Sequence, residues 1–377
     1  MEFLNFTWYY IVVFLFVLTV LVFVHELGHF WIARRNGVRV EVFSVGFGPE
    51  LFGRTDSLGT RWRFSAIPLG GYVKMFGEYD FEDSPEAQPM TAEEQKVSFH
   101  HKNVRQRSAI VFAGPAANFL FAIVLLGLLF GLVGSPRPLA GVGGVQEGSA
   151  AEAAGLRPGD RIKAIAGQDI VWFEDLRQAV EKLGGQTVSI AIQRGDNLLS
   201  LTVTPTLREV THDDGTVAQK GLLGVSPDPE QLDYVRYDPL TAAWMGVERT
   251  FAMVGQILSY LGDIIGGDRN TDELGGPLRI AQMSGQVAQG GFVDILFFMA
   301  ALSINLGLIN LFPVPMLDGG HLVFYGIEAL RGRPLNAKAQ EYGFRFGLAL
   351  VLLLMVFVTW KDLGHLGVID FIKHLFT

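Results

Sequence analysis

Val22-Phe23-Val24-His25-Glu26-Leu27-Gly28-His29-Phe30-Trp31 is the segment that decides the fold and chemistry of this chain. It ends an apolar run that begins near Phe6, and it contains an H-E-x-x-H box. On a helix, His25 and His29 project from the same face one turn apart. Their imidazole nitrogens can then bind a single zinc ion, with Glu26 beside it. The alternative is a capped or interfacial helix that carries only a polar patch.

The apolar setting makes this box more specific than its pattern alone. Three ionisable side chains lie inside about 20 apolar residues, which is the length that crosses a bilayer. Burying such groups in lipid costs several kcal/mol, so they need a compensating function.

The composition is typical of a membrane protein that carries some soluble mass. Of the 377 residues, 49% are hydrophobic and only 18% are charged, and the mean hydropathy is +0.31. The net charge of -8 and the lack of a long basic run predict no nucleic-acid partner. The chain has no cysteine, which excludes disulfides and thiolate metal sites.

Its N-terminus lacks a basic region and a small-residue cleavage site, so we expect an uncleaved first span.

The fold class that we predict is a polytopic α-helical membrane protein with about four transmembrane helices. The predicted spans are 6–31, 108–132, 291–311 and 343–360. Lys and Arg concentrate between the first and second spans and between the third and fourth. By the positive-inside rule those loops are cytoplasmic, and both termini with residues 133–290 are extracytoplasmic. The H-E-x-x-H box then lies toward the cytoplasmic side.

A β-hairpin region is expected in the first cytoplasmic loop. Residues 38–43 alternate like a strand until Ser44–Pro49 interrupts the pattern, and a second alternating run at 61–67 leads into Pro68–Tyr72. Such a ribbon, associated with the membrane beside the H-E-x-x-H box, could pair its open edge with an extended substrate. The alternative is an interfacial hairpin that makes no substrate contact.

The extracytoplasmic segment carries a domain of its own. A G-L-x-P-G-D signature at Gly155–Asp160 is followed by a strand at 161–165, a helix at 172–183 and a hairpin that joins 188–192 to 199–203. This pattern resembles a single PDZ domain, an α+β fold. PDZ domains bind extended peptide ends by strand addition. A steric screen against substrates with bulky external parts is an equal alternative.

A third metal ligand is needed to complete a catalytic zinc site that keeps one open position. Asp318 is the best candidate, because a carboxylate at membrane depth beside Pro313 and Pro315 is costly without a cation. His321 is the rival ligand, and we expect it to be a bystander or to support the site indirectly.

Two asparagines precede that carboxylate. Asn305 and Asn310 can hold a substrate backbone that has unwound from its helix, through hydrogen bonds in both directions. Their alternative role is to join neighbouring spans, which is worth about 1 kcal/mol each.

The order of these motifs resembles the site-2 protease family of intramembrane zinc metalloproteases. The motifs that carry the resemblance are His25–His29, Gly46–Gly48, Ile67–Met75, Gly114–Phe119 and Asn305–His321. The resemblance implies one Zn2+ per chain, held by His25, His29 and Asp318, with Glu26 as general base. It also implies a substrate-binding surface in a bacterial inner-membrane protein, made of Asn305, Asn310, Pro313, Pro315, Gly46, Phe47, Gly48, Ile67, Gly70 and Gly71.

Four domains follow from this interpretation. Residues 1–132 form an N-terminal membrane domain with the zinc-binding helix and the β region, and residues 133–210 form the PDZ domain. Residues 211–290 form an extracytoplasmic linker, in which 239–262 is an amphipathic helix at the membrane surface rather than a fifth span. Residues 291–377 form a C-terminal membrane domain with the third ligand.

The expected function is hydrolysis of single-pass membrane proteins in or near their transmembrane segments, and the resemblance implies anti-sigma factors or remnant signal peptides as substrates. A membrane transporter or metal-binding channel that uses intramembrane His and Asp is one rival, but it predicts inverted repeats with paired broken helices, and the sequence shows none. A catalytically dead relative that only binds membrane clients is the second rival. The intact Glu26 argues against it.

Overall fold

Two compact units make up the computed structural model, which describes residues 2–78, 90–211, 217–267, 269 and 275–365. Met1–Leu129 and Pro239–Thr377 form the first unit, and Phe130–Asp238 form the second. The helices are α1 (Glu2–Arg35), α2 (Ala92–Val97), α3 (Val104–Leu132), α4 (Ala150–Ala153), α5 (Phe173–Lys182), α6 (Pro239–Gly266), α7 (Pro277–Gln289), α8 (Phe292–Asn310), α9 (Asp318–Arg331) and α10 (Ala337–His365). The strands are β1 (Val40–Thr55), β2 (Arg61–Met75), β3 (Ser135–Pro138), β4 (Val142–Val145), β5 (Arg161–Ile165), β6 (Gln168–Asp169), β7 (Val188–Arg194), β8 (Asn197–Val203), β9 (Thr206–Thr211), β10 (Val217–Leu222), β11 (Val225–Pro227) and β12 (Leu232–Val235).

The membrane part of the predicted fold class is confirmed. Among the described residues, four helices are long and apolar enough to cross a bilayer: Tyr9–Arg35, Val104–Leu132, Phe292–Asn310 and Lys338–Gly364. Each contains or closely matches one of the predicted spans. Many large apolar side chains on these helices are exposed, as expected where lipid rather than protein surrounds a helix.

Helix α6 lies against α3 through small residues. A Cβ atom on Gly246 would lie 2.6 Å from the backbone oxygen of Ile123, and one on Gly127 would lie 3.3 Å from the Cα atom of Ala243. Such close backbone contact is typical of helices that pack within membranes. The segment predicted as an amphipathic surface helix is therefore one continuous helix that contacts a membrane span.

The β-hairpin region is a small folded sheet. Residues 42–45 of β1 pair with residues 71–74 of β2 on one side and with residues 61–64 on the other. Residues 50–55 of β1 then pair with residues 61–65. Residues 71–75 consequently form one outer strand of this sheet, next to α1.

The predicted interruption at Ser44–Pro49 is wrong, because β1 continues through it. Gly46 and Gly48 take φ values of 90° and 84°, which side chains other than glycine rarely adopt, and the strand register shifts there. The glycines therefore bend the strand instead of ending it, and Phe47 comes to lie opposite Ile67.

The second unit contains the α+β elements predicted for a PDZ domain. Strands β6, β5, β7 and β8 form one sheet in that order, and β5 has the predicted bounds. Apolar side chains from this sheet and from α5 fill the core, with Ile162, Leu176, Ile190 and Ile192 at most 1% exposed. The unit continues past the predicted boundary at residue 210, because β11 pairs with β4 and β12 pairs with β3.

The G-L-x-P-G-D signature ends in Asp160, whose carboxylate is buried in this unit. Asp160 is 1% exposed, and it accepts hydrogen bonds from Nε and Nη2 of Arg194, each 2.7 Å long, and from the backbone N–H of Arg157. Burial alone would raise the pKa of Asp160, but the hydrogen bonds from Arg194 and Arg157 outweigh burial and lower it. The carboxylate is thus held ionised in the fold.

Arg194→Met is expected to destabilise the second unit at pH 7, because it leaves the Asp160 carboxylate buried without its partner. Hydrogen exchange of the full-length protein, read over peptides within 155–203, should become about 100-fold faster. The control is Arg177→Met, which removes an exposed pair with Glu174 and should change little. Equal exchange in the two variants would contradict the role given to Arg194.

Candidate metal centre

Three side chains converge between α1 and the start of α9. Nε2 of His25 lies 3.1 Å from Oδ2 of Asp318 and 3.2 Å from Nε2 of His29. Nε2 of His29 lies 3.6 Å from the same carboxylate oxygen. Both histidines are less than 10% exposed. The structure therefore brings together the three ligands predicted from the sequence.

The donor set fits zinc. Bonds of about 2.0–2.1 Å at tetrahedral angles place neighbouring ligand atoms about 3.3 Å apart. The three distances between donor atoms, 3.1, 3.2 and 3.6 Å, are close to that value. The rival ligand His321 is outside this cluster, and its ring lies 5.2 Å from the ring of Phe344.

Two glycines let α1 and α3 approach closely enough to form the site. A Cβ atom on Gly114 of α3 would lie 2.2 Å from Nε2 of His29 and 2.9 Å from Cε1 of His25. A Cβ atom on Gly28 of α1 would lie 2.2 Å from the backbone oxygen of Ala113. Both positions therefore exclude any side chain, and α3 forms one wall of the metal centre.

Helix α3 also contacts the second nitrogen of each imidazole. Nδ1 of His29 lies 2.9 Å from the backbone oxygen of Ile110, and Nδ1 of His25 lies 3.1 Å from the side-chain amide of Asn118. Gly114, Asn118 and Ile110 were not predicted from the sequence to be site residues. The available signal was a polar Asn one turn after a Gly in an otherwise apolar span.

Glu26 lies between the three converging side chains and the outer strand of the sheet. Its carboxylate accepts a hydrogen bond from the backbone N–H of Val73. A Cβ atom on Gly71 would lie 3.4 Å from Cγ of Glu26 and 3.0 Å from Cγ1 of Val22. The predicted general base is thus placed directly against residues 71–75 of β2.

An irregular segment positions Asp318. Helix α8 ends at Asn310, residues 311–317 form turns, and α9 begins at Asp318. Cβ atoms on Gly319 and Gly320 would lie 2.3–2.4 Å from backbone oxygens of this segment. Only glycine fits at these two positions, so the tight turn fixes where the carboxylate emerges.

A buried ion pair joins α9 to α3. Nη2 of Arg107 donates to Oε1 of Glu328 at 2.6 Å, and the two side chains are 11% and 13% exposed. The Arg107 guanidinium also lies 4.9 Å from the centre of the Tyr325 ring. Asp318 therefore belongs to a helix that is tied to the wall of the site.

The remaining predicted substrate residues fall into two groups. Gly46, Phe47, Gly48, Ile67 and Gly70 meet at the bend of the β sheet, where Phe47 and Ile67 are 43% and 48% exposed. Asn305, Asn310, Pro313 and Pro315 lie on α8 and on the turn that follows it, partly buried except for the exposed Pro313. The structure places the second group just before Asp318 and the first group on the sheet that reaches Glu26.

Comparisons with known proteins identify the family. A model of peptidase family M50 matches residues 13–354. A protein of Agrobacterium fabrum named "Putative zinc metalloprotease" is 45% identical, with 95% of this chain and 96% of the relative covered. The metalloprotease MmpA of Caulobacter vibrioides is 36% identical over 96% and 97% of the two chains. The protease RseP of Yersinia pestis is 34% identical over 94% and 98%.

Among solved structures, the PDZ domain of an SdrC-like protein from Listeria monocytogenes is 22% identical, with a TM-score of 0.19 over 24% of this chain and 87% of its own. The family match and the three relatives each cover nearly the whole chain, and the H-E-x-x-H box and Asp318 lie within the residues that the family model matches. The chain therefore belongs to peptidase family M50, the site-2 proteases, and is a membrane zinc metalloprotease.

Proposed function

We propose that this metalloprotease cleaves membrane-protein substrates within or next to their transmembrane segments. The observation that carries the proposal is the position of the candidate metal centre, because His25 and His29 lie on one helix able to cross a bilayer and are walled by a second. A peptide bond that reaches these residues must enter the space between apolar helices. The substrate is then a chain that is itself membrane-embedded.

In this proposal each group of the site has a separate task. His25, His29 and Asp318 hold one zinc ion, and zinc when bound polarises a carbonyl and lowers the pKa of water. Glu26 takes a proton from water on its carboxylate and delivers it to the leaving amine. The apolar helices around the centre limit the access of bulk water.

Substrate unwinding is assigned to the sheet and to α8. A transmembrane helix uses its own backbone groups in internal hydrogen bonds, so these bonds must open before cleavage. Residues 71–75 form an outer strand beside Glu26, to which an extended segment can add. Gly46, Phe47, Gly48, Ile67 and Gly70, at the bend of the sheet, contact the substrate on the side of that strand, while Asn305, Asn310, Pro313 and Pro315 contact it from the other side.

The topology belongs to the same proposal. Lys and Arg between the first and second spans place the sheet and the active centre toward the cytoplasm of a bacterial inner membrane, with both termini and the PDZ domain outside. Plausible substrates are single-pass proteins such as anti-sigma factors or remnant signal peptides. The PDZ domain either binds extracytoplasmic peptide ends or excludes bulky ones.

The test is cleavage of a single-pass substrate by the purified protein in lipid vesicles, with mass spectrometry of the products. We expect the cut to fall inside or next to the apolar segment of the substrate. The same peptide sequence placed in a soluble carrier should remain intact. Cleavage of the soluble form at an equal rate would overturn the proposal, whereas Glu26→Gln controls for contaminating proteases.

Gly71→Ala is expected to lower kcat/KM about 10-fold to 100-fold while bound zinc stays at one per chain. The added methyl would lie 2.7 Å from the backbone oxygen of Ser44 and 3.0 Å from Val22, and a shift of about 1 Å near the reacting groups is enough for such a loss. Gly262→Ala is the matched control, because nothing lies within 4 Å of its Cβ position. Equal activity of the two variants would show that the outer strand takes no part in cleavage.

A further inference from the structure

The two imidazoles of the candidate metal centre differ in the group that contacts their Nδ1 atom. A backbone carbonyl can only accept a hydrogen bond, so Nδ1 of His29 must carry the proton that it donates to Ile110. The lone pair of His29 is then on Nε2, which points toward His25 and Asp318. The backbone of α3 alone therefore prepares His29 to bind a cation.

For His25, the group that contacts Nδ1 is a side chain rather than a backbone oxygen. Its Nδ1 lies 3.1 Å from Nδ2 of Asn118, a residue that is fully buried. In this orientation the amide N–H donates to Nδ1, so the proton of a neutral His25 sits on Nε2 and faces Asp318. The other amide atom, Oδ1 of Asn118, is buried without a hydrogen-bond partner.

A rotation of the amide by half a turn resolves both problems at once. Oδ1 then accepts a proton from Nδ1 of His25, and the lone pair of His25 moves to Nε2, where the three donor atoms converge. The buried oxygen also gains the partner that it lacks in the other orientation. The amide occupies the same volume in either orientation.

We propose that Asn118 is the positioning residue of the metal centre, whose Oδ1 accepts the Nδ1–H of His25 and so keeps the lone pair of that histidine on Nε2. The proposal rests on the proposed role of His25 as a zinc ligand. Zinc-binding histidines generally donate their other nitrogen to such an acceptor, and loss of the acceptor costs about 10-fold to 100-fold in metal affinity.

The surroundings hold Asn118 in place for this task. Gly114 and Asn118 are one turn apart on α3 and so share the face that meets α1. On the opposite side, the Ser303 hydroxyl donates to the backbone oxygen of Asn118 at 2.9 Å, and Gly307 allows α8 to approach its Cβ atom. The backbone and the Cβ atom of Asn118 thus contact α8.

Two kinds of Asn118 variant separate the possible hydrogen-bond directions. Asn118→Leu removes the hydrogen bond at similar volume, and Asn118→Asp keeps an acceptor but has no donor. The zinc dissociation constant of the full-length protein in detergent, measured against a chelating dye, should rise about 10-fold to 100-fold for Asn118→Leu. Asn118→Asp should restore it to within a few-fold of the wild type.

Nitrogen-15 spectra of the ring-labelled protein give a readout that a merely structural role would not move. The chain has 8 histidines, and His25→Ala assigns the signal of His25. In the zinc-loaded protein we expect a slowly exchanging Nδ1 proton on His25 that is lost in Asn118→Leu and kept in Asn118→Asp. Gly326→Ala, where nothing lies within 4 Å of the added Cβ atom, should leave both zinc affinity and this signal unchanged.

Failure of this inference can be told from failure of the proposed function. Unchanged zinc binding in His25→Ala would show that His25 is not a zinc ligand. Loss of zinc in His25→Ala with unchanged binding in Asn118→Leu would overturn only the role of Asn118. Equal loss in the Leu and Asp variants, both still folded by circular dichroism, would also overturn it; Asn118→Ala replaces Asn118→Leu if the larger side chain prevents folding.

Discussion

Glu26→Gln is expected to reduce peptide cleavage about 100-fold to 10,000-fold, the range that general acid–base catalysis supplies in rate, while the protein keeps one zinc ion per chain. Glutamine keeps the volume of the side chain and can still contact the backbone of Val73. It cannot take a proton from water. Zinc content by mass spectrometry and cleavage of a membrane substrate in vesicles are the two measurements.

The comparison variant is His25→Ala, which should lose zinc and activity together. Glu26→Gln differs from it by losing activity alone, because Glu26 is not one of the three converging donors. Substantial activity in Glu26→Gln would mean that another group moves the proton. Loss of zinc in that variant would mean that Glu26 is a ligand rather than a base.

Gly114→Ala is expected to eliminate tight zinc binding and with it the activity. The methyl group would lie 2.2 Å from Nε2 of His29, so either the imidazole or α3 must move. Such an overlap in a packed interior costs about 1–3 kcal/mol, and it falls directly on the ligand atom. Zinc titration of the purified variant should show affinity lower by about 10-fold to 100-fold.

Gly326→Ala is the matched control for that substitution. Gly326 lies in α9, the helix that begins with Asp318, and nothing lies within 4 Å of its Cβ position. Alanine there favours the helix and leaves the metal centre unaltered. Zinc binding as tight in Gly114→Ala as in Gly326→Ala would contradict the close contact between α3 and the histidines.

Local patterns were sufficient to predict most of the architecture. The spans were found because a bilayer-crossing helix must be a long apolar run, and each predicted span matches a helix. The ligand pair was found because four-residue spacing places His25 and His29 on one face. The elements of the second unit follow from periodicity within short segments, which is why β5 was predicted with its bounds.

Long-range contacts explain what the sequence could not provide. The interruption expected at Ser44–Pro49 is absent, because Gly46 and Gly48 bend a strand whose partners lie on both sides. The space that Gly114 leaves for His29 and the contact of Asn118 with His25 join residues more than 80 positions apart. The periodicity of apolar residues within one segment does not reveal its contacts with a distant segment.

Zinc K-edge X-ray absorption of the purified full-length protein tests the metal centre most directly. We predict one zinc ion per chain with two imidazole nitrogens and carboxylate oxygen at about 2.0–2.2 Å, and its loss in Asp318→Ala. A wild-type protein that is active but holds no zinc, or a bound zinc whose spectrum lacks imidazole and survives Asp318→Ala, would contradict the joining of α1 and α9 around a single metal.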